Sequence, residues 1–171
     1  MPFLTAIWLL PIAVVLHEAE EWNILRWEQR NFINLPAKTD RSIRVFLVLF
    51  SLFGILWTAL AALPNNPTIA AFMSLPFAAG AFWKALQRLF YTVRFRQYAP
   101  GVVTAVVFYL PIAGYLTARA IEEDLVPAAY VLVLGVLAIL GLIQTMKAGN
   151  TFSPFFRVIT ALSKWLRIPE A

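Results

Sequence analysis

Charge along this chain is confined to short islands, and between them lie five apolar stretches of helical length. They predict helices over about 3–26, 43–63, 69–93, 101–119 and 126–146. Each stretch is close to the roughly 20 residues that cross a hydrocarbon layer about 30 Å thick. Between them, NLPAKTDRS and LPNNPT carry turn and breaker residues, and YAPG separates the third and fourth spans. The implied fold is all-α, a polytopic transmembrane helix bundle of about five spans within residues 1–150. Residues 151–171 form a separate tail. In SPFFRVITALSKWLR, Ser153 is placed to cap a helix and Pro154 fits its first turn. Phe155, Val158, Ile159, Leu162 and Leu166 make an apolar stripe, with Arg157, Lys164 and Arg167 as basic groups. The tail therefore predicts an amphipathic helix lying in the membrane interface. No internal repeat is visible.

Composition supports the pattern. Of 171 residues, 61% are hydrophobic and 13% charged, against roughly 25% charged in an average soluble domain. A core of this size cannot hide so much apolar surface, whereas bulk lipid can, so membrane lipids are the expected surroundings. The first apolar stretch lacks a basic leader and a small-residue cleavage site, so it is expected to be a span and not a removable signal. There is no cysteine, which excludes disulfides, thiolate metal sites and cysteine nucleophiles. The net charge of +5 is spread over loops and tail, which suits an anionic membrane surface and not nucleic acid.

Basic residues also set an orientation. With the N-terminus outside, Arg26, Arg30, Lys38, Arg41, Arg44, Arg94, Arg96, Lys147, Arg157, Lys164 and Arg167 all fall on the inner side. Only Arg119 falls outside, while Lys84 and Arg88 lie within the third span. The expected placement is a multi-pass protein of the inner (plasma) membrane with a cytoplasmic C-terminus.

One polar island interrupts the pattern. HEAEEW, residues 17–22, follows sixteen residues without side-chain charge and holds three glutamates and the chain's single histidine. If Arg26 and Trp27 anchor the first span at the interface, His17, Glu20 and Glu21 lie roughly 8–14 Å below it at 1.5 Å per residue. Their i, i+3, i+4 spacing puts all three on one face, with Glu18 pointing elsewhere. In FWKALQRLFYTVRFR of the third span, Lys84, Gln87, Arg88 and Tyr91 share a face. By the same rise, Lys84 and Arg88 lie about 9–15 Å deep. An ionised group near mid-bilayer costs at least about 2.5–3.5 kcal/mol, so the two clusters are expected to face each other or water. The three glutamates outnumber the two buried cations, which argues for a functional site lined by a cavity over a plain helix clamp.

HEAEE also reads as H-E-x-x-E, close to the H-E-x-x-H zinc pattern with one histidine replaced by glutamate. His17, Glu18 and Glu21 are then candidate ligands for a divalent metal, Glu18 alternatively a base. Zinc accepts carboxylate as well as imidazole, but Lys84 and Arg88 would compete for the same oxygens.

The chain resembles the HXXEE family of small bacterial and archaeal membrane proteins, through His17, Glu20 and Glu21 together with YAPGVVTAVVFYLP. In that stretch Tyr98, Pro100, Gly101, Thr104 and Pro111 match a Y-x-P-G-x-x-T pattern with a downstream proline. Members often carry a polar, histidine-containing pattern shortly before that tyrosine. Lys84 and Arg88 occupy the place here, which argues against a two-histidine site. The family's function is unknown, so the resemblance implies residues and no activity. Physically, Pro100 biases Ala99 away from helix, Gly101 permits a tight reversal, and Pro111 is expected to kink the fourth span.

Two classes of function fit. The first is an enzyme on a lipid or isoprenoid-like substrate, with His17, Glu20 and Glu21 as acid–base groups and Lys84, Gln87, Arg88, Tyr91 and Tyr98 binding the substrate. The second is a small proton-coupled transporter or binding protein using the same carboxylates, with a structural subunit as a third reading. Reporter fusions at the two termini are expected to place them on opposite sides of the membrane; finding both on one side would refute the five-span reading.

Overall fold

A computed structural model describes residues 1–33, 35 and 38–148. The chain is helical, with no strand among the described residues. Its elements are α1 (Phe3–Ala6), α2 (Leu9–Glu20), α3 (Ile24–Asn31), α4 (Asp40–Ala62), α5 (Pro67–Phe95), α6 (Val102–Thr104), α7 (Leu110–Glu122) and α8 (Ala128–Ala148). A π-helical turn, Ala105–Tyr109, joins α6 to α7. Five segments are long and apolar enough to cross a membrane: Phe3–Glu20, Asp40–Ala62, Pro67–Phe95, Val102–Glu122 and Ala128–Ala148. The expected tail helix lies outside the described residues.

Local chemistry sets most boundaries. Thr39 and Ser42 form a reciprocal capping box at the start of α4, the Thr39 hydroxyl accepting from Ser42 N and the Ser42 hydroxyl from Thr39 N. Asn66 caps α5 by accepting from Thr68 N and Ile69 N, with Pro67 in the first turn. Arg96 closes α5 in the left-handed conformation, φ 52°.

The first span departs from the expected helix over 3–26 in two places. It is interrupted at Ile7–Trp8, because Pro11 offers no N–H to the Ile7 carbonyl and its ring clashes there. It then ends at Glu20, and the turn Glu21–Asn23 redirects the chain into α3, with Ile24 N donating to Glu21 O at 2.9 Å. Trp27 is consequently no headgroup anchor on a continuous span. It is buried among Phe32, Tyr91 and Phe95, with ring centroids 5.7–5.9 Å away.

α5 is the hub. It packs against α4, α7, α8 and the π-turn. One core, between α1, α5 and α7, is rich in alanine (Ala6, Ala70, Ala71, Ala78, Ala113, Ala120), and small residues let apolar helices approach closely. Further along the bundle, Ala13, Val14, Ala81, Ala85, Ala105 and Tyr109 form a second core. The aromatic cluster around Trp27 and Tyr91 forms a third. The ionisable residues of α2 and α5 lie between the second and third, enclosed by apolar layers on both sides.

α8 is the least buried span and is held at a few points. Trp83 rests on Gly141, where an added Cβ would come within 2.9 Å of Trp83 Nε1, and Gln87 Nε2 donates to Thr145 Oγ1 at 3.1 Å. Gly141→Val should therefore force Trp83 aside and cost about 1–3 kcal/mol. The check is the Tm of the protein in detergent, with Gly135→Val, which meets no atom within 4 Å, as the unaffected control.

Candidate functional site

A helix advances about 100° per residue, and this divides the HXXEE residues between two neighbours. Taking His17 as zero, Glu21 lies at about +40° and Glu18 at about +100°, while Glu20 lies at about −60°. α5 occupies the positive side. There, Glu18 Oε1 accepts from Lys84 Nζ at 2.6 Å, Glu21 Oε1 accepts from Arg88 Nε at 2.6 Å, and Glu21 Oε2 lies 3.3 Å from Lys84 Nζ. The opposite charges of the two spans thus meet. Two expectations are corrected, however. Glu18 belongs to the cluster, because α5 covers an arc wide enough to reach it. Glu20 does not, because it sits on the far edge of that arc.

Glu20 turns to the fourth span. The N-cap of α6 is Gly101, which has no side chain to offer, and the Glu20 carboxylate supplies the cap instead. It accepts from Thr104 N at 2.7 Å, Val103 N at 3.2 Å and Thr104 Oγ1 at 2.5 Å, and from the Tyr98 hydroxyl. The free N–H groups of a helix start favour an anion there. Gly101 has φ +91°, and a Cβ on it would meet Glu21 Oε1 at 2.5 Å and His17 Cε1 at 2.7 Å. Both backbone angle and space require glycine. The two sequence motifs are therefore one contact: YAPG folds its glycine against His17 and Glu21 and offers its helix start to Glu20.

Histidine 17 sits at the boundary and touches both sides. Its Nδ1 lies 2.9 Å from Thr104 Oγ1. That hydroxyl has one proton and gives it to the Glu20 carboxylate, which can only accept, so Oγ1 accepts from Nδ1–H. Nε2 then faces Glu21 Oε1 at 2.9 Å, at contact distance but outside good hydrogen-bond geometry. Glu18 Oε2 is buried without a hydrogen-bond partner. Tyr109 covers the imidazole face, with ring centroids 4.4 Å apart. The π-turn sets that position: Leu110 N–H bonds to Ala105 O, five residues back. The widened turn lies just before Pro111, whose ring would collide with a regular helix one turn earlier.

Not every predicted residue joins the site. Gln87 faces α8 and binds Thr145, because it lies on the edge of α5 that α8 covers. Tyr91, one turn beyond Arg88, is buried in the aromatic cluster. Tyr98 meets Glu20 and is otherwise exposed. Thr104 and Tyr109, unassigned from sequence, are part of the site; the threonine of the Y-x-P-G-x-x-T pattern was the available signal. Beyond the aromatic cluster, Glu28 pairs with Lys38 at 3.2 Å. Burial raises the Glu28 carboxyl and lowers the Lys38 ammonium from their ordinary ranges.

The cluster is also more nearly neutral than its composition suggests. Glu18 and Glu21 face Lys84 and Arg88, two against two, while the third carboxylate is compensated by a helix start. The excess negative charge expected from sequence is absent from the centre. A groove of about 240 Å³ is formed by Trp22, Arg44, Val45, Val48 and Leu49. Among the described charged groups of the centre Lys84 is the most exposed: its side chain is 19% exposed and its ammonium lies 5.6 Å from the Phe50 ring centroid.

A family model described as a protein of unknown function with HXXEE motif matches residues 8–116. That range holds every residue of the cluster, both motifs and the π-turn. No curated protein and no solved structure matches the chain.

The pairing has a direct stability consequence. Arg88→Leu leaves Glu21 buried without its main partner and should cost about 3–5 kcal/mol. Glu21→Leu combined with Arg88→Leu should recover most of that loss in Tm. Glu20→Leu combined with Arg88→Leu should not, and recovery there instead would contradict the pairing.

Proposed function

The chain belongs to the family of proteins of unknown function with an HXXEE motif, and from the geometry of its site we propose that it is a membrane-embedded enzyme acting by acid–base chemistry on a lipid or isoprenoid-like substrate. One arrangement carries this reading. A fully buried imidazole is oriented through Thr104 by Glu20, and its Nε2 faces two carboxylates, touching Glu21 Oε1 at 2.9 Å without good hydrogen-bond geometry. An unsatisfied buried polar atom costs about 1–3 kcal/mol. A clamp built for stability alone gains nothing from such an atom. A reacting group needs both a free atom and a fixed direction.

His17, Glu18 and Glu21 are the groups that exchange protons with the substrate. Lys84, the most exposed charged group of the centre, receives an anionic head group, and Arg88 holds Glu21 in place. Tyr98 borders the site at the end of the bundle. Its partial burial and the neighbouring Glu20 push its phenol up to about 12, so it remains a hydrogen-bond donor near neutral pH. An apolar substrate reaches Lys84 from the lipid between α4 and α5, on the cytoplasmic half of the membrane in the orientation that the basic residues favour.

The test compares wild-type protein and His17→Ala, each purified and reconstituted into vesicles of a total membrane lipid extract, by mass spectrometry of the lipids over time. The wild type should convert one lipid class and His17→Ala should leave it unchanged. Identical lipid profiles, with both proteins folded by circular dichroism, would overturn the proposal.

A further inference from the structure

The same centre has the donor set of a metal site. We propose that His17, Glu18 and Glu21 bind one divalent transition-metal ion of the zinc type, and that Lys84 is the resident cation which that ion displaces. The inference concerns the site of the proposed activity and rests on that reading only for its role in catalysis.

The three side chains come from the last turn of α2 and the residue that follows it, and their candidate ligand atoms all lie within 4.8 Å of one another. Two ligands on one zinc ion, each about 2.0–2.1 Å away, are at most about 4.2 Å apart. Small side-chain rotations close the difference. All three residues are more than nine-tenths buried. Two buried atoms, His17 Nε2 and Glu18 Oε2, make no hydrogen bond of good geometry, although Nε2 touches Glu21 Oε1 at 2.9 Å. With Nδ1 engaged by Thr104, Nε2 is the ring nitrogen left for a metal. That engagement continues to Glu20, which makes a chain of carboxylate, hydroxyl and histidine like those that orient metal-bound imidazoles. One imidazole with two carboxylates favours zinc and its neighbours over calcium or magnesium, which prefer oxygen alone. Three protein ligands also leave a coordination position open, as catalytic zinc sites do.

Lys84 explains how the centre is balanced without a metal. Its ammonium touches Glu18 Oε1 at 2.6 Å and Glu21 Oε2 at 3.3 Å, so it bridges two of the three ligands. Arg88 holds the other Glu21 oxygen and need not move. Lysine, a point charge on a flexible stem, can withdraw along its exposed path. An incoming ion would free it to meet an anionic head group at the mouth of the site.

The experiment uses the full chain in detergent, stripped with chelator, equilibrated with zinc chloride and counted by elemental analysis. Lys84→Met, which removes the competitor, should bind one zinc per chain at least about tenfold more tightly than wild type. His17→Ala combined with Lys84→Met should lose that binding, and Glu20→Gln in the Lys84→Met background should weaken it about 10–100-fold, as loss of an orienting partner does. A gain of affinity in Lys84→Met cannot arise from misfolding. Failure of Lys84→Met to take up stoichiometric zinc, or zinc retained by the His17→Ala double variant, overturns the metal site. Lipid conversion by a zinc-free wild type would leave the enzyme standing without the metal. Bound zinc with no lipid conversion would do the reverse.

Discussion

An ion placed among apolar side chains must meet its counter-charge at contact distance, and in this protein the Glu21–Arg88 pair imposes that condition on everything around it. The two charges come from different spans and are enclosed between an alanine-rich layer and an aromatic one. Neither helix can rotate or slide without separating them. The apolar packing of α2, chiefly against α4 and the fourth span, does not by itself set its register on α5. The ion pair does.

The rest of the centre follows from that register. With Glu21 on Arg88, the helical turn brings Glu18 to Lys84 and leaves His17 at the edge of the contact, facing the fourth span. Only glycine can pass so close to His17 and Glu21, and Gly101 does. That passage starts a helix without its own cap, which Glu20 then completes. A buried ion pair contributes little net stability compared with apolar packing. Its value here lies in geometry: it fixes an imidazole, two carboxylates and a lysine in one small volume.

The centre combines a rigid part with a movable one. Arg88, Thr104 and Glu20 each hold a site residue through short, buried or capping hydrogen bonds, while the Lys84 side chain is more exposed than Glu18, Glu21 or Arg88. This division suits a site that admits a ligand at one point and keeps its reacting groups in place. It also explains why the third carboxylate is not surplus charge. It belongs to the scaffold, at a helix start, and not to the centre.

The five apolar stretches, the membrane class, the basic bias and the identity of the polar residues on α2 and α5 were all legible in the sequence, because each depends on composition or on spacing along one helix. Spacing also gave the angular order of His17, Glu18, Glu20 and Glu21. It does not tell which neighbour lies on which side, so it places Glu20 with His17 and Glu21 and Glu18 elsewhere, whereas Glu18 meets Lys84 and Glu20 meets the fourth span. Gln87 was misplaced for the same reason, since only the position of α8 sends it away from the cluster. The helix end at Glu20, the π-turn before Pro111 and the placement of His17 between Thr104 and Glu21 also required the assembled structure. Each is a response of one segment to side chains that approach it from another, and no local pattern records that approach.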